Sequence, residues 1–322
     1  LDVFFYEAFE EERIALSKHL PDSIKCGFTR KTIQENNKYQ DPPASIISIR
    51  TQSEIPDSWA QKISAILTRS TGYDHIIKYL NRNGEIPSGY LPLYCCRSVA
   101  EQAMLYWMAL LRKLPQQINN FSSFQRDGLT GNECIGKTLL VVGVGNIGIE
   151  VVRLGQMMGM NVFGIDIVKK HDSVSYVPFE EGIQSADVIV CAMNLTEKNI
   201  GYFNYDCFKE AKPNSIFINI ARGEFSPVAD LLQLMKENRL GGIALDVFNK
   251  ESSLAVLLRS RNNNHNEEIE SLIELGKYSN VILTPHNAFN TFESVDRKVA
   301  QSIEQLTHFI NNGSFLWPVP NS

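Results

Sequence analysis

At 322 residues the chain exceeds the usual size of one domain, so two compact units are expected. Hydrophobic residues at 43% and charged residues at 21% exclude a disordered or fibrous chain and allow sizeable cores. Thirty-one Lys and Arg against 36 Asp and Glu give a net charge of −5, with the cations scattered, which excludes nucleic acid as a partner.

The first apolar run, Val3 to Tyr6, precedes a helically spaced segment from Glu7 to Leu20, which predicts a β–α unit. Similar short runs recur at Ala44 to Ile49 and Ile63 to Thr68, separated by Pro42-Pro43 and a polar stretch ending in Trp59. The first hundred residues therefore read as an open α/β sheet. From Arg97 to Lys113 there is no Gly or Pro, good helix formers dominate, and Ser98 with Glu101 makes a capping-box pattern, which predicts a long helix. Its apolar residues occupy several faces, so it is expected to serve as an interdomain spine or a homodimer contact. Gln116 to Asn132 is polar and loop-like.

Beyond it, strands at Thr138 to Val142, Asn161 to Ile165, Val188 to Ala192, Ile216 to Ile220, Gly242 to Leu245 and Val281 to Thr284 are expected. Helices are expected at Ile149 to Met158, Val228 to Glu237 and Val295 to Ile310. Alternation of this kind predicts a parallel, doubly wound sheet. Arg261 to Glu268 is an Asn-rich polar insertion, expected as a surface loop. No apolar stretch reaches the roughly 18 to 20 residues that cross a bilayer, and no basic segment followed by an apolar run stands at the N-terminus. A cytosolic protein with no membrane partner is expected, and Leu1 in place of Met suggests a trimmed start. The six cysteines form no CxxC pair and have no metal-ligand spacing, so reduced thiols and no metal are expected.

The motif with the clearest chemistry is Gly143-Val144-Gly145-Asn146-Ile147-Gly148. Its first two glycines permit a tight turn and close approach to a pyrophosphate, which would sit on N–H groups at the start of a helix, and the third lets that helix pack on the strand. An apolar strand precedes the turn and a helix follows it. The next strand ends in Asp166, 18 residues after Gly148, where a carboxylate can accept from both adenosine ribose hydroxyls and repel a 2′-phosphate. NAD is the expected cofactor.

Three charged residues follow later strands: Arg222 in INIARGE, Glu251 in LDVFNKE and His286 in VILTPH. With VVGVGNIG before them, these motifs resemble the D-isomer-specific 2-hydroxyacid dehydrogenase family over essentially the whole chain. The resemblance implies that Arg222, Glu251 and His286 form the catalytic set, and that an NAD-binding Rossmann domain, residues 97–289, is inserted into a flavodoxin-like substrate domain, residues 1–96 and 290–322. The chemistry agrees. Arg222 offers a planar fork for a substrate carboxylate, His286 an acid–base for the carbonyl oxygen, and Glu251 a partner that orients the imidazole.

The same resemblance places Ala221 and Asp246 beside the cofactor, and Thr71, Gly72 and Tyr94 beside the substrate together with Arg222 and His286. The long Glu251-to-His286 segment and the opening FFYEAFEEE look like the D-lactate dehydrogenase branch, which implies a small aliphatic 2-oxo acid, pyruvate first. The chain also ends soon after its last helix, with no added regulatory domain expected. Gln102, Asn194 and Cys95-Cys96 depart from the family pattern, and the two cysteines are expected to be packed small residues. NAD-binding corepressors are the alternative class, which the intact Arg222, Glu251 and His286 argue against.

Overall fold

Short apolar runs bounded by turns become parallel strands in two separate sheets, as the alternation of strands and helices requires. The computed structural model of the chain describes residues 1–36, 40–260 and 267–320. Two units arise, one from Leu1–Cys95 with Asn290–Ser322 and the other from Cys96–Phe289.

The first stretch contributes β1 (Val3–Phe5), α1 (Glu10–His19), β2 (Cys26–Phe28), β3 (Ile46–Ile49), β4 (Ala65–Thr68), α2 (Asp74–Asn83) and β5 (Ser88–Gly89). The second unit runs through α3 (Cys96–Leu111), α4 (Leu114–Asn120), β6 (Thr138–Val142), α5 (Asn146–Met157), β7 (Asn161–Ile165), β8 (Ser175–Tyr176), α6 (Phe179–Ser185) and β9 (Val188–Cys191). It continues with α7 (Tyr205–Lys209), β10 (Ser215–Asn219), α8 (Val228–Lys236), β11 (Leu240–Leu245), α9 (Glu251–Ser260), α10 (Glu267–Leu275) and β12 (Val281–Leu283). The chain then returns to the first unit as α11 (Phe292–Asn312), which packs on α1.

In the first unit the strand order is β2-β1-β3-β4-β5 and every pairing is parallel, the flavodoxin-like arrangement. β1, β3 and β4 are buried throughout, as strands covered on both faces must be. The second sheet runs β12-β11-β10-β9-β6-β7-β8, again all parallel, which is the Rossmann order extended by one strand. Its largely aliphatic core includes an aromatic cluster, with Phe203, Phe208 and Phe217 in mutual ring contact. Among the described residues no helix is long and apolar enough to cross a membrane.

Three sequence expectations change. The long helix starts at Cys96, so Ser98 lies inside it and donates to the Phe289 carbonyl instead of capping, while Glu101 pairs with Arg97 at 2.6 Å across one turn. The polar stretch after it is partly helical: α4 carries Pro115 in its first turn, a position where the missing N–H costs nothing. Residues 261–266 of the Asn-rich insertion lie outside the described residues, and its last two, Glu267 and Glu268, begin α10.

Candidate active site

β10, β11 and β12 are neighbours whose last residues stand in register, Asn219 beside Leu245 and Leu245 beside Leu283. The three segments that follow them therefore leave the sheet from one carboxyl edge. Arg222, Glu251 and His286 sit on those segments, where open parallel sheets bind their ligands.

His286 follows Thr284-Pro285 with φ +50, a left-handed conformation that a non-glycine residue adopts at a cost of about 1–3 kcal/mol. The turn is held by a buried carboxylate. Asp246, 1% exposed, accepts from Thr284 Oγ1 at 2.6 Å and from the backbone N–H groups of Asn287 at 2.9 Å and Ala288 at 2.8 Å. The Tyr106 hydroxyl joins the same group, contacting both Thr284 and Asp246. Asp246 is thus occupied in shaping the turn that carries His286.

The imidazole Nδ1 lies 2.7 Å from Glu251 Oε2, and both side chains are partly exposed. A carboxylate acceptor there fixes the proton on Nδ1 and leaves Nε2 as the nitrogen that can face a substrate. Glu251 is the first residue of α9, and its other oxygen accepts the Phe248 N–H at 3.0 Å. Burial pushes its carboxyl up, but the bond and charge of His286, the Phe248 N–H and the Arg222 charge outweigh that and hold it below the usual carboxylate range.

Arg222 is positioned by Asn219, which is fully buried at the end of β10. The Asn219 amide donates to the Arg222 carbonyl at 2.8 Å and to Ser226 Oγ at 2.9 Å, and its oxygen accepts the Ala221 N–H. The next residue must be glycine: a Cβ on Gly223 would stand 2.0 Å from the Phe248 carbonyl carbon, so the Arg222 turn lies directly on the segment leading to Glu251. Arg222 also donates to the Ala221 carbonyl at 2.8 Å, so the two residues form one tight turn.

Farther along the same edge the strand order reverses between β6 and β9, and the glycine-rich turn follows β6. Gly143 has φ +93, and a Cβ there would meet the Met193 backbone at 2.6 Å. A Cβ on Gly148 would fall 2.0 Å from the Gly143 oxygen. Gly145 is different, since nothing lies within 4 Å of its Cβ position and no side chain caps the first turn of α5. That open space over the first amides, of Asn146 and Ile147, fits a pyrophosphate. Asp166 accepts from Val144 N–H at 2.7 Å and Val168 N–H at 3.0 Å, one bond to each oxygen, leaving each oxygen a lone pair for a ribose hydroxyl.

The remaining expected residues belong to the first unit. Thr71 Oγ1 donates to the Leu91 carbonyl and lies 3.3 Å from Cys95 Sγ, while Ser70 Oγ holds the Gly72 carbonyl. Tyr94 is only 4% exposed, and burial pushes its phenol well up. Cys95 is buried and its thiol is pushed up as well; Cys96 opens α3, and none of the six cysteines is in a disulfide. Sequence reasoning missed Asn219, Gly223, Thr284 and Tyr106. Only Asn219 left a trace, as a polar residue ending an otherwise apolar strand.

Residues 104–288 match the family model described as D-isomer specific 2-hydroxyacid dehydrogenase, NAD binding domain. An aromatic 2-oxoacid reductase of Clostridium sporogenes is 28% identical over 260 residues, 78% of this chain and 77% of that protein. A glyoxylate reductase of Pyrococcus furiosus is 27% identical over 306 residues, 90% and 82% of the two chains. The D-lactate dehydrogenase of Aquifex aeolicus, solved with NAD and lactic acid, superposes with a TM-score of 0.86 at 24% identity over 98% of this chain and 99% of that one.

Proposed function

This chain belongs to the D-isomer specific 2-hydroxyacid dehydrogenase family, and from that premise we propose that it reduces small 2-oxo acids, with pyruvate the reference substrate, to D-2-hydroxy acids. It is an NAD-dependent oxidoreductase with the family's NAD-binding domain. The observation that carries the reading is the 2.7 Å contact of His286 Nδ1 with Glu251, on the sheet edge that also bears Arg222.

The reduced nicotinamide supplies the hydride. The amides of Asn146 and Ile147, opened by Gly145, would hold the pyrophosphate, and Asp166 the adenosine ribose. The turn at Ala221 and the loop shaped by Asp246 border the nicotinamide end. Arg222 pairs its fork with the substrate carboxylate and polarises the neighbouring carbonyl. His286 donates the Nε2 proton to the carbonyl oxygen as it gains electron density, and Glu251 favours the imidazolium that does so. In the reverse direction the neutral ring takes that proton back. Thr71 and Gly72, with Tyr94, are the first unit's candidates for the substrate.

The 35-residue separation of Glu251 and His286, which holds α9 and α10, supports the lactate branch and hence pyruvate. NADH oxidation with pyruvate, 2-oxobutyrate, 2-oxoisocaproate, hydroxypyruvate and glyoxylate tests the assignment. Efficient reduction of at least one is expected, and silence with all five despite NADH binding would defeat it. The proposal includes a cytosolic homodimer. Phe121 and Phe124, 77% and 75% exposed beside α4, make an apolar surface that a second copy would cover, and sedimentation of a monomer would remove that part.

A further inference from the structure

Helix α3 carries Ser98, Gln102 and Tyr106 at four-residue spacing, which sets three polar side chains along one side of it. Ser98 and Tyr106 are buried, and they reach the segment that bears His286 on either side of that residue. The Ser98 hydroxyl donates to the Phe289 carbonyl at 3.3 Å, and the Tyr106 hydroxyl meets Thr284 Oγ1. All of these residues belong to the second unit, in which α3 packs on β10 and β11.

One proton per hydroxyl fixes the direction of the bonds. Thr284 Oγ1 gives its proton to Asp246 Oδ1 at 2.6 Å, so its contact with Tyr106 needs the tyrosine proton. The Tyr106 oxygen also lies 3.4 Å from Asp246 Oδ1, beyond the usual reach of an O–H···O bond. With the Tyr106 proton committed to Thr284, the Gln102 amide that bonds the same hydroxyl is the donor there. The chain therefore runs one way, from Gln102 to Tyr106 to Thr284 to Asp246, and ends on the carboxylate that accepts the Asn287 and Ala288 N–H groups. Burial and the Asp246 charge push the Tyr106 phenol up to about 12, which keeps it a donor.

His286 stands inside this stretch with φ +50, and a backbone held in a sparsely populated region stays there only where its surroundings over-determine it. Asp246 directly follows β11 and holds the turn from the sheet, whereas Tyr106 and Ser98 hold it from the helix that covers that sheet. We propose that Tyr106 is a positioning residue for the reduction: through Thr284 and Asp246 it fixes the turn that aims His286, with Ser98 as the second anchor. The inference rests on the reading above, in which His286 gives its proton to the carbonyl oxygen.

Tyr106→Phe keeps the ring and removes the hydroxyl, and Thr284→Val keeps the shape and removes the next link. Each should lower kcat with the best 2-oxo acid by about tenfold or more, the cost of a small misplacement of a reacting group, while Thr284→Ser, which keeps the hydroxyl, should stay within about threefold of the parent. A tyrosine that acts through His286 has nothing to position once the imidazole is gone. In the His286→Gln background Tyr106→Phe should therefore change kcat by less than about twofold. Loss of the same size in both backgrounds, or no loss in the parent, overturns the inference. Should Tyr106→Phe fail to fold, as judged by NADH titration, the Thr284 pair decides, and equal kcat for Val and Ser overturns it. If no 2-oxo acid is turned over, it is the reductase reading that falls. The clamp is then judged by amide hydrogen exchange: Tyr106→Phe should exchange faster than the parent over residues 284–289 and not over β6, and unchanged exchange over 284–289 overturns it.

Discussion

The glycine-rich turn makes opposite demands at two of its glycines, and alanine at each separates them. At Gly148 the new Cβ would fall 2.0 Å from the Gly143 oxygen, far inside contact distance, so the α5 backbone must move. Overpacking of that kind costs about 1–3 kcal/mol, or more where backbone is the obstacle. For a unit the size of Cys96–Phe289, each kcal/mol lowers Tm by about 2–4 °C, so Gly148→Ala should melt about 3–10 °C early. At Gly145 nothing lies within 4 Å and φ is −81, so alanine fits, and Tm should stay within about 2 °C of the parent. The methyl would nonetheless stand where a pyrophosphate must approach. Losing one charge-assisted N–H contact is worth about 1.5–3 kcal/mol, so NADH should bind about 10- to 150-fold more weakly. Calorimetric melting and an NADH fluorescence titration of both variants decide the matter. If Gly145→Ala binds NADH as the parent does, the turn is not the phosphate cradle, and if it melts as early as Gly148→Ala the steric argument is wrong.

His286→Gln should lower kcat by about 10²- to 10⁴-fold while NADH still binds; stopped-flow reduction at the parent rate would take the ring out of acid–base chemistry. Arg222→Lys exchanges a fork for a point charge, so steady-state kinetics should show KM up about tenfold or more together with a lower kcat, and an unmoved KM would contradict the carboxylate clamp. Asp166→Asn keeps an acceptor for the Val144 N–H but loses the charge, so the NADH/NADPH ratio of kcat/KM should fall about tenfold, unless another residue sets cofactor choice. Glu251 is held below the ordinary carboxylate range, so its contribution to stability is present above that range and is lost only as pH falls through its lowered value. Acid melting curves of Glu251→Gln should therefore show a smaller loss of Tm on acidification than the parent, and parallel curves would refute the coupling.

Both sheets and the charged set were legible in the sequence for a common reason. Runs such as Leu139 to Val142 and Val281 to Leu283 are apolar throughout because both faces of a parallel strand are covered, and the charged residues proposed for the chemistry stand just past the ends of such runs. Elements with weaker local signals were not seen. β5 and β8 have two residues each, and α2 mixes Ile76, Ile77 and Tyr79 with His75, Lys78, Asn81 and Arg82 before ending at Gly84. α4 was hidden by Pro115, which forbids a helix interior but suits a helix start. The Ser98 pattern misled because a capping box has meaning only where a helix begins, and this helix begins at Cys96, three residues before the start that a cap at Ser98 implies.

What sequence conceals most completely is charge assembled from distant positions. Glu12, Arg69 and Lys298 are 57 and 229 residues apart in the chain, and each alone reads as a solvated surface side chain. Once folded, each is almost fully buried, and a position at a strand end acquires a meaning that spacing cannot give it. The Rossmann edge also shows supporting groups of this kind: Asn219 and Asp246 hold the turns that carry Arg222 and His286 through hydrogen bonds to backbone, and spacing in the chain does not announce those bonds. The charged residues proposed for the chemistry can therefore be read from strand ends, but the side chains that hold their turns, and the buried cluster of Glu12, Arg69 and Lys298, become visible only once distant parts of the chain fold side by side.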